Sequence, residues 1–158
     1  GLMQVIAAEA AFHETLQPVF AGYGRAVVDN AQVLAKMLSA GGLRLFTGRT
    51  DYNPLLFDLQ RFGFMGEAAI EELERFGLVT NKNVVPFDPC LPAITSGIHF
   101  GTPAATSCGF DSAAFQTVGD LTLTVLQRFR GKAIDEAVIR SEVKCLTDPH
   151  PVQRASFG

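Results

Sequence analysis

The residue types able to do chemistry are few, and their spacing rules out most of the usual reactions. The three histidines, His13, His99 and His150, lie far apart. No HExxH or comparable spacing would bring two of them to one metal ion, so no metal site is expected. His13 sits on a helical stretch and reads as a surface or packing residue. His150 lies between Pro149 and Pro151 in a polar tail and reads as solvated. His99 stands in Ser96-Gly97-Ile98-His99-Phe100-Gly101-Thr102-Pro103. Glycines there let a backbone pass close to a neighbour, which suits either a ligand or a tight turn inside a small sheet.

The run Thr80-Asn81-Lys82-Asn83 places two amides around a lysine at a strand end. Such amides could grip a polar ligand or satisfy loop backbone. Lys82 has nothing beside it to desolvate its amine, so a Schiff-base role is rejected. Neither GxGxxG nor GxxxxGK[ST] occurs, so no phosphate loop is read. Cys90, Cys108 and Cys145 are odd in number and widely spaced, which argues against a disulfide framework and for a reducing, cytoplasmic location.

The elements that must position these residues follow from periodicity. Residues 1–40 read as two helical stretches joined near Pro18, with Val27, Val28, Ala31, Leu34, Ala35 and Leu38 forming one apolar stripe. Gly41 and Gly42 close the second. Short strands are expected at Leu43–Thr47 and Leu55–Leu59, a helix at Gly66–Phe76 stopped by Gly77, and a strand over Leu78–Val85. A proline-rich loop, Pro86–Pro92, and a strand over Gly97–Gly101 follow. Asp111 is a good N-cap for a helix burying Ala114, Val118, Leu121, Val125 and Phe129, and a last helix runs from about Ile134 to Cys145. The expected fold is α+β, a small, mostly antiparallel sheet flanked by helices.

With 158 residues, 47% apolar and 18% charged, the chain has enough material for one core. Its net charge of −3 and pI of about 5.6 do not suit a nucleic-acid binder. No apolar run reaches the ~18–20 residues of a membrane span, and no secretory signal is read.

Motifs in fixed order then carry a resemblance. Thr47-Gly48-Arg49-Thr50-Asp51 followed by Leu55-Leu56-Phe57-Asp58-Leu59 is similar to SGGTDNHLxLVDL. Asn81-Lys82-Asn83 with Pro86 and Asp88-Pro89 is similar to NKNxxPxD. Ser96 through Ala104, then Gly109-Phe110, resembles SGIRxGTPAxTxRGF, and Leu2-Met3 through Pro18 resembles GGPLMxxIA…P. These are motifs of the serine hydroxymethyltransferase family, pyridoxal-phosphate (PLP) enzymes of fold type I, and they match only its C-terminal part.

The resemblance implies a fold like the C-terminal domain of an aminotransferase-like PLP enzyme. It divides the chain into a helical segment, residues 1–40, leading to a large domain, and a small domain, residues 41–158. The implied activity is hydroxymethyl transfer, or aldol or transaldol chemistry on an amino acid, carried out with an N-terminal half that holds the PLP lysine. PLP is the implied cofactor and tetrahydrofolate a conditional second one. No catalytic residue is expected in this chain, which would be inactive alone and would assemble as a homo- or hetero-oligomer with the large-domain chain. A non-catalytic binding or regulatory module derived from the family is the alternative.

By the same resemblance, Asn83 matches the folate-contacting asparagine and Gly1 a glycine near the cofactor phosphate. His99 stands where an arginine grips the substrate carboxylate, with Arg49 a replacement cation nearby. Cys108 takes the place of a second arginine. An arginine fork makes two charge-assisted bonds to a carboxylate, whereas imidazole offers one donor. Loss of about 1.5–3 kcal/mol weakens binding by roughly one to two powers of ten.

Overall fold

The computed structural model describes residues 2–48, 50–51, 53–60, 66–85 and 95–151. Helices α1 (Leu2–Thr15) and α2 (Pro18–Ala40) meet at Pro18, the first residue of α2, where an N–H would have had no intrahelical partner. Five of the six expected stripe residues, Val27, Ala31, Leu34, Ala35 and Leu38, are buried on α2; Val28 is only half-buried, and Asn30 joins the buried face instead. The helix closes at Gly42, whose φ of 97° turns the chain so that Leu43 N–H reaches back to Leu38 O at 3.0 Å.

The sheet comprises β1 (Arg44–Leu45), β2 (Leu55–Asp58), β3 (Asn81–Asn83) and β4 (Gly97–Phe100), all antiparallel, in the order β1-β2-β4-β3. Between β2 and β3 lies α3 (Gly66–Arg75), ended by Gly77 at φ 83° with Leu78 N–H bonded to Leu73 O. A short helix, α4 (Pro103–Ser107), leads to α5 (Ser112–Leu126), capped by Asp111, which accepts from Ala114 N–H at 2.9 Å. One turn of 3₁₀ helix (Gln127–Arg130) and α6 (Glu136–Thr147), capped by Asp135, complete the order. The α+β expectation holds. No helix among the described residues is long and apolar enough to cross a membrane.

Leu45, Leu55, Phe57, Ile98 and Phe100 point from the sheet into a single core with Leu34 and Leu38 of α2, Ala69 and Leu73 of α3, and Leu121 and Val125 of α5. Helices therefore cover one face of the sheet. α2 and α5 cross closely because Gly119 lies against Met37, where an added Cβ would come within 2.9 Å of the methionine's Cβ.

Several boundaries differ from the sequence expectation. Strands β1 and β3 are shorter than the expected runs Leu43–Thr47 and Leu78–Val85, although Phe46 N–H still donates to Leu56 O of β2 at 2.8 Å beyond the end of β1. The helix from Ser112 tightens into 3₁₀ after Leu126, which carries Phe129 off the buried face to 37% exposure. The proline-rich loop lies outside the described residues.

Candidate functional site

Alternation along β4 decides what each side chain does. Ile98 and Phe100 enter the core, so Gly97 and His99 face the other side of the sheet. The register aligns Leu56, His99 and Asn81 in one cross-strand row, and Arg44, Asp58, Gly97 and Asn83 in the next. His99 is half-buried while Asn81 and Asn83 are exposed. No described helix packs on this open face. His99 and Asn83, chosen separately from sequence, are thus diagonal neighbours about 7–8 Å apart by sheet geometry.

Gly97 is the gap between them. A Cβ there would run into the Asn83 carbonyl oxygen and the Val85 side chain, so only glycine permits β3 to approach β4 this closely. Thr95, 1% exposed, fastens the same point: its hydroxyl donates to Asn83 O at 2.6 Å and accepts from Gly97 N–H at 3.2 Å. Lys82, on the opposite side of β3, pairs with Glu67 of α3 at 3.2 Å. At the other end of the row, Asp58 accepts from Gln60 N–H at 2.9 Å and meets Arg44 at 3.7 Å. A carboxylate, a bare backbone and an amide therefore stand side by side below the imidazole.

The turn after His99 is held by α2. Tyr23 hydroxyl donates to Pro103 O, Thr102 hydroxyl donates to Val27 O at 2.9 Å, and Ser107 hydroxyl donates to Tyr23. Asn30, 3% exposed, donates to Thr106 Oγ1 at 3.1 Å and to Phe110 O at 3.0 Å, while Ser112 hydroxyl donates to its Oδ1. These positioning residues were missed from sequence. Asn30 carried one usable signal, an amide inside an otherwise apolar helical stripe, which needs buried partners.

His150 is half-buried rather than freely solvated, contrary to expectation. Its ring lies 4.8 Å from that of Phe110, and Nδ1 is 3.1 Å from Cys108 O. An imidazole body packs on an aromatic face as readily as it hydrates, and α6 delivers it there. Cys108 is half-buried at the end of α4, Cys145 is exposed, and neither is in a disulfide. His13 is exposed as expected. Gly1 and Arg49, the other two expected binding residues, lie outside the described residues.

A covalent PLP site requires a desolvated lysine. The four lysines, Lys36, Lys82, Lys132 and Lys144, are all exposed, with Lys82 paired to Glu67 and Lys144 to Asp148. These four lysines do not fit a Schiff-base site. Among the described residues no group of three His, Cys, Asp or Glu could hold a metal ion.

The fold, and the sheet face on which no described helix packs, define an α+β domain that presents polar side chains from an antiparallel sheet. Residues 1–122 match the profile of the serine hydroxymethyltransferase family, and the chain belongs to that family. It is 46% identical to the serine hydroxymethyltransferase of Methylorubrum extorquens strain PA1 over 157 residues, 96% of this chain and 36% of that protein. The corresponding figures are 47% identity for the Rhodospirillum centenum protein, over 98% of this chain and 37% of the relative. For serine hydroxymethyltransferase 2 of Rhodospirillum rubrum they are 44%, 96% and 36%. The chain therefore spans little more than a third of the length of these relatives, and it matches their C-terminal part.

Proposed function

We propose that this chain supplies the small-domain half of a serine hydroxymethyltransferase-like enzyme, completing an active site whose PLP lysine is carried by a large domain, either on a separate chain or ahead of this segment in a longer one. The observation that carries this reading is the shared open face of His99 and Asn83, on a sheet whose other face is fully used by its own helices. In this reading His99 donates one hydrogen bond to the amino-acid carboxylate, and Asn83 presents an amide to the edge of a folate ring. By the family resemblance, Arg49 is assigned to the substrate anion and Gly1 to the cofactor phosphate. The partner supplies the electron sink and the proton transfers at the substrate.

Residues 1–40 form the segment toward the large domain and 41–158 the small domain, with the later turns of α2 serving the small domain's core. α1 supports a partner: Val5, Ile6, Phe12, Leu16 and Val19, in and just after it, are 51–82% exposed, an apolar surface left uncovered within the chain. An oligomer in the cytoplasm, acting on an amino acid with PLP and, conditionally, tetrahydrofolate, is the setting this reading implies.

The test joins this chain to the PLP-lysine half of the Methylorubrum extorquens relative and measures glycine binding. A complex is expected to bind glycine weakly, and His99→Arg to tighten it by roughly one to two powers of ten. Absence of a complex, or an unchanged affinity in His99→Arg, overturns the reading. His99 and Cys108 at the family's two arginine positions favour a second reading, a non-catalytic module; a complex that binds no amino acid with either residue at 99 would support it.

A further inference from the structure

His99 is half-buried on the open face, yet its imidazole makes no hydrogen bond or ion pair with any described residue. Leu56 and Asn81 stand directly across from it, with Asp58, Gly97 and Asn83 in the next row. Among the described residues Asp58 is the one carboxylate these strands bring to that side, and it is engaged by Gln60 N–H and by Arg44 of β1. Lys82 lies on the opposite side of β3, against Glu67, and the 101–103 turn carries no charged residue. The ring nitrogens are therefore left for a group that docks on this face from outside.

We propose that His99 makes the grip on the substrate carboxylate proton-dependent, so that the face holds an anion tightly only while the ring carries its second proton. This rests on the assignment of His99 to the carboxylate made above and adds the condition under which that contact works. Imidazolium presents two N–H donors and a positive charge. Neutral imidazole presents one donor and a lone pair that repels a carboxylate oxygen. The two forms differ by one proton, taken from solvent onto a ring nitrogen. Histidine is the side chain whose ordinary change of charge falls between about pH 5 and 8. A guanidinium is charged throughout that range and gives no such response. Imidazole at position 99 thus trades strength for control: affinity for the anion rises as pH falls.

Glycine binding by the complex with the large-domain half, measured at about pH 5.5 and about 8.5 for the wild type, His99→Gln and His99→Arg, tests the proposal. Glutamine donates one bond and does not titrate, and arginine is always charged. Position 99 lies off the core, so both variants are expected to fold, which melting curves check. Ratios between variants at one pH cancel the titration of glycine's own amine and of the partner's groups. The wild type should bind glycine about tenfold tighter than His99→Gln at the lower pH and no tighter at the higher, the step from a neutral to a charge-assisted bond. The ratio of His99→Arg to His99→Gln should stay constant. Glycinamide, which has no carboxylate, should give a wild-type to His99→Gln ratio that does not change with pH. A constant ratio for glycine while His99→Arg still binds it more tightly overturns the proposal and leaves the carboxylate assignment standing, as does an equal pH response with glycinamide. Absence of glycine binding, or equal binding by all three proteins at both pH values, overturns the assignment and the proposal together.

Discussion

Replacing Asn30 by alanine tests whether the turn following His99 is held by α2. The side chain makes two bonds of ordinary length, to Thr106 Oγ1 at 3.1 Å and Phe110 O at 3.0 Å, and accepts a longer one from Ser112 at 3.3 Å. Two such bonds contribute about 1 kcal/mol each, and the Phe110 carbonyl left without its donor adds a penalty of about 1–3 kcal/mol. Alanine gives back roughly 0.5 kcal/mol through its better helix propensity. The net loss should be about 2.5–4.5 kcal/mol, read as a lower urea midpoint at unchanged slope. For a domain of this size that corresponds to a melting temperature lower by roughly 5–15 °C. Asn30→Asp, which retains an acceptor but no donor and adds a buried charge, should cost at least as much. Equilibrium unfolding in urea, followed by circular dichroism, measures both. A loss below about 1 kcal/mol for Asn30→Ala would refute the claim that these bonds hold the turn.

Two further outcomes are expected. Gly97→Ala should destabilise the protein by about 2 kcal/mol or more and speed amide exchange along Asn81–Asn83, because the new methyl meets a backbone oxygen that cannot swing aside. A melting curve with hydrogen exchange reads both. Lys144, hydrogen-bonded to both Asp148 oxygens at 2.8–2.9 Å, is held above the ordinary 10.5, first by that bond and then by the carboxylate's charge. Its raised value means the pair's small contribution is fully present below pH 10.5 and is lost as pH climbs through the folded-state pKa. NMR titration of the lysine should place it above 10.5, and Asp148→Asn should return it to the usual range.

Much of this architecture was readable from local chemistry. The glycine stops at Gly42 and Gly77, the Asp111 cap, the strand from Gly97 and all of the α2 stripe but Val28 stand where local geometry put them. The open face was half legible: His99 and Asn83 could be picked out singly, but their adjacency depends on β3 pairing with β4, a long-range register that no local pattern encodes. The clasp of Tyr23, Asn30 and Thr102 on the 101–112 segment was hidden for the same reason, since its partners lie 75–82 residues away. The error at His150 arose because flanking prolines describe a chain's stiffness and say nothing about an aromatic ring waiting for it. Phe129 was misassigned because a helical period continues on paper past the point where the backbone changes pitch.

The pleat of β4 has a consequence for how this surface can change over time. Ile98 and Phe100 anchor the strand from within, so position 99 is a socket whose contents the core never inspects. Guanidinium, imidazole or amide can be exchanged there without renegotiating the fold, whereas inserting or deleting one residue nearby would turn the whole strand inside out. Drift in ligand preference is therefore cheap at this point, and drift in length is not.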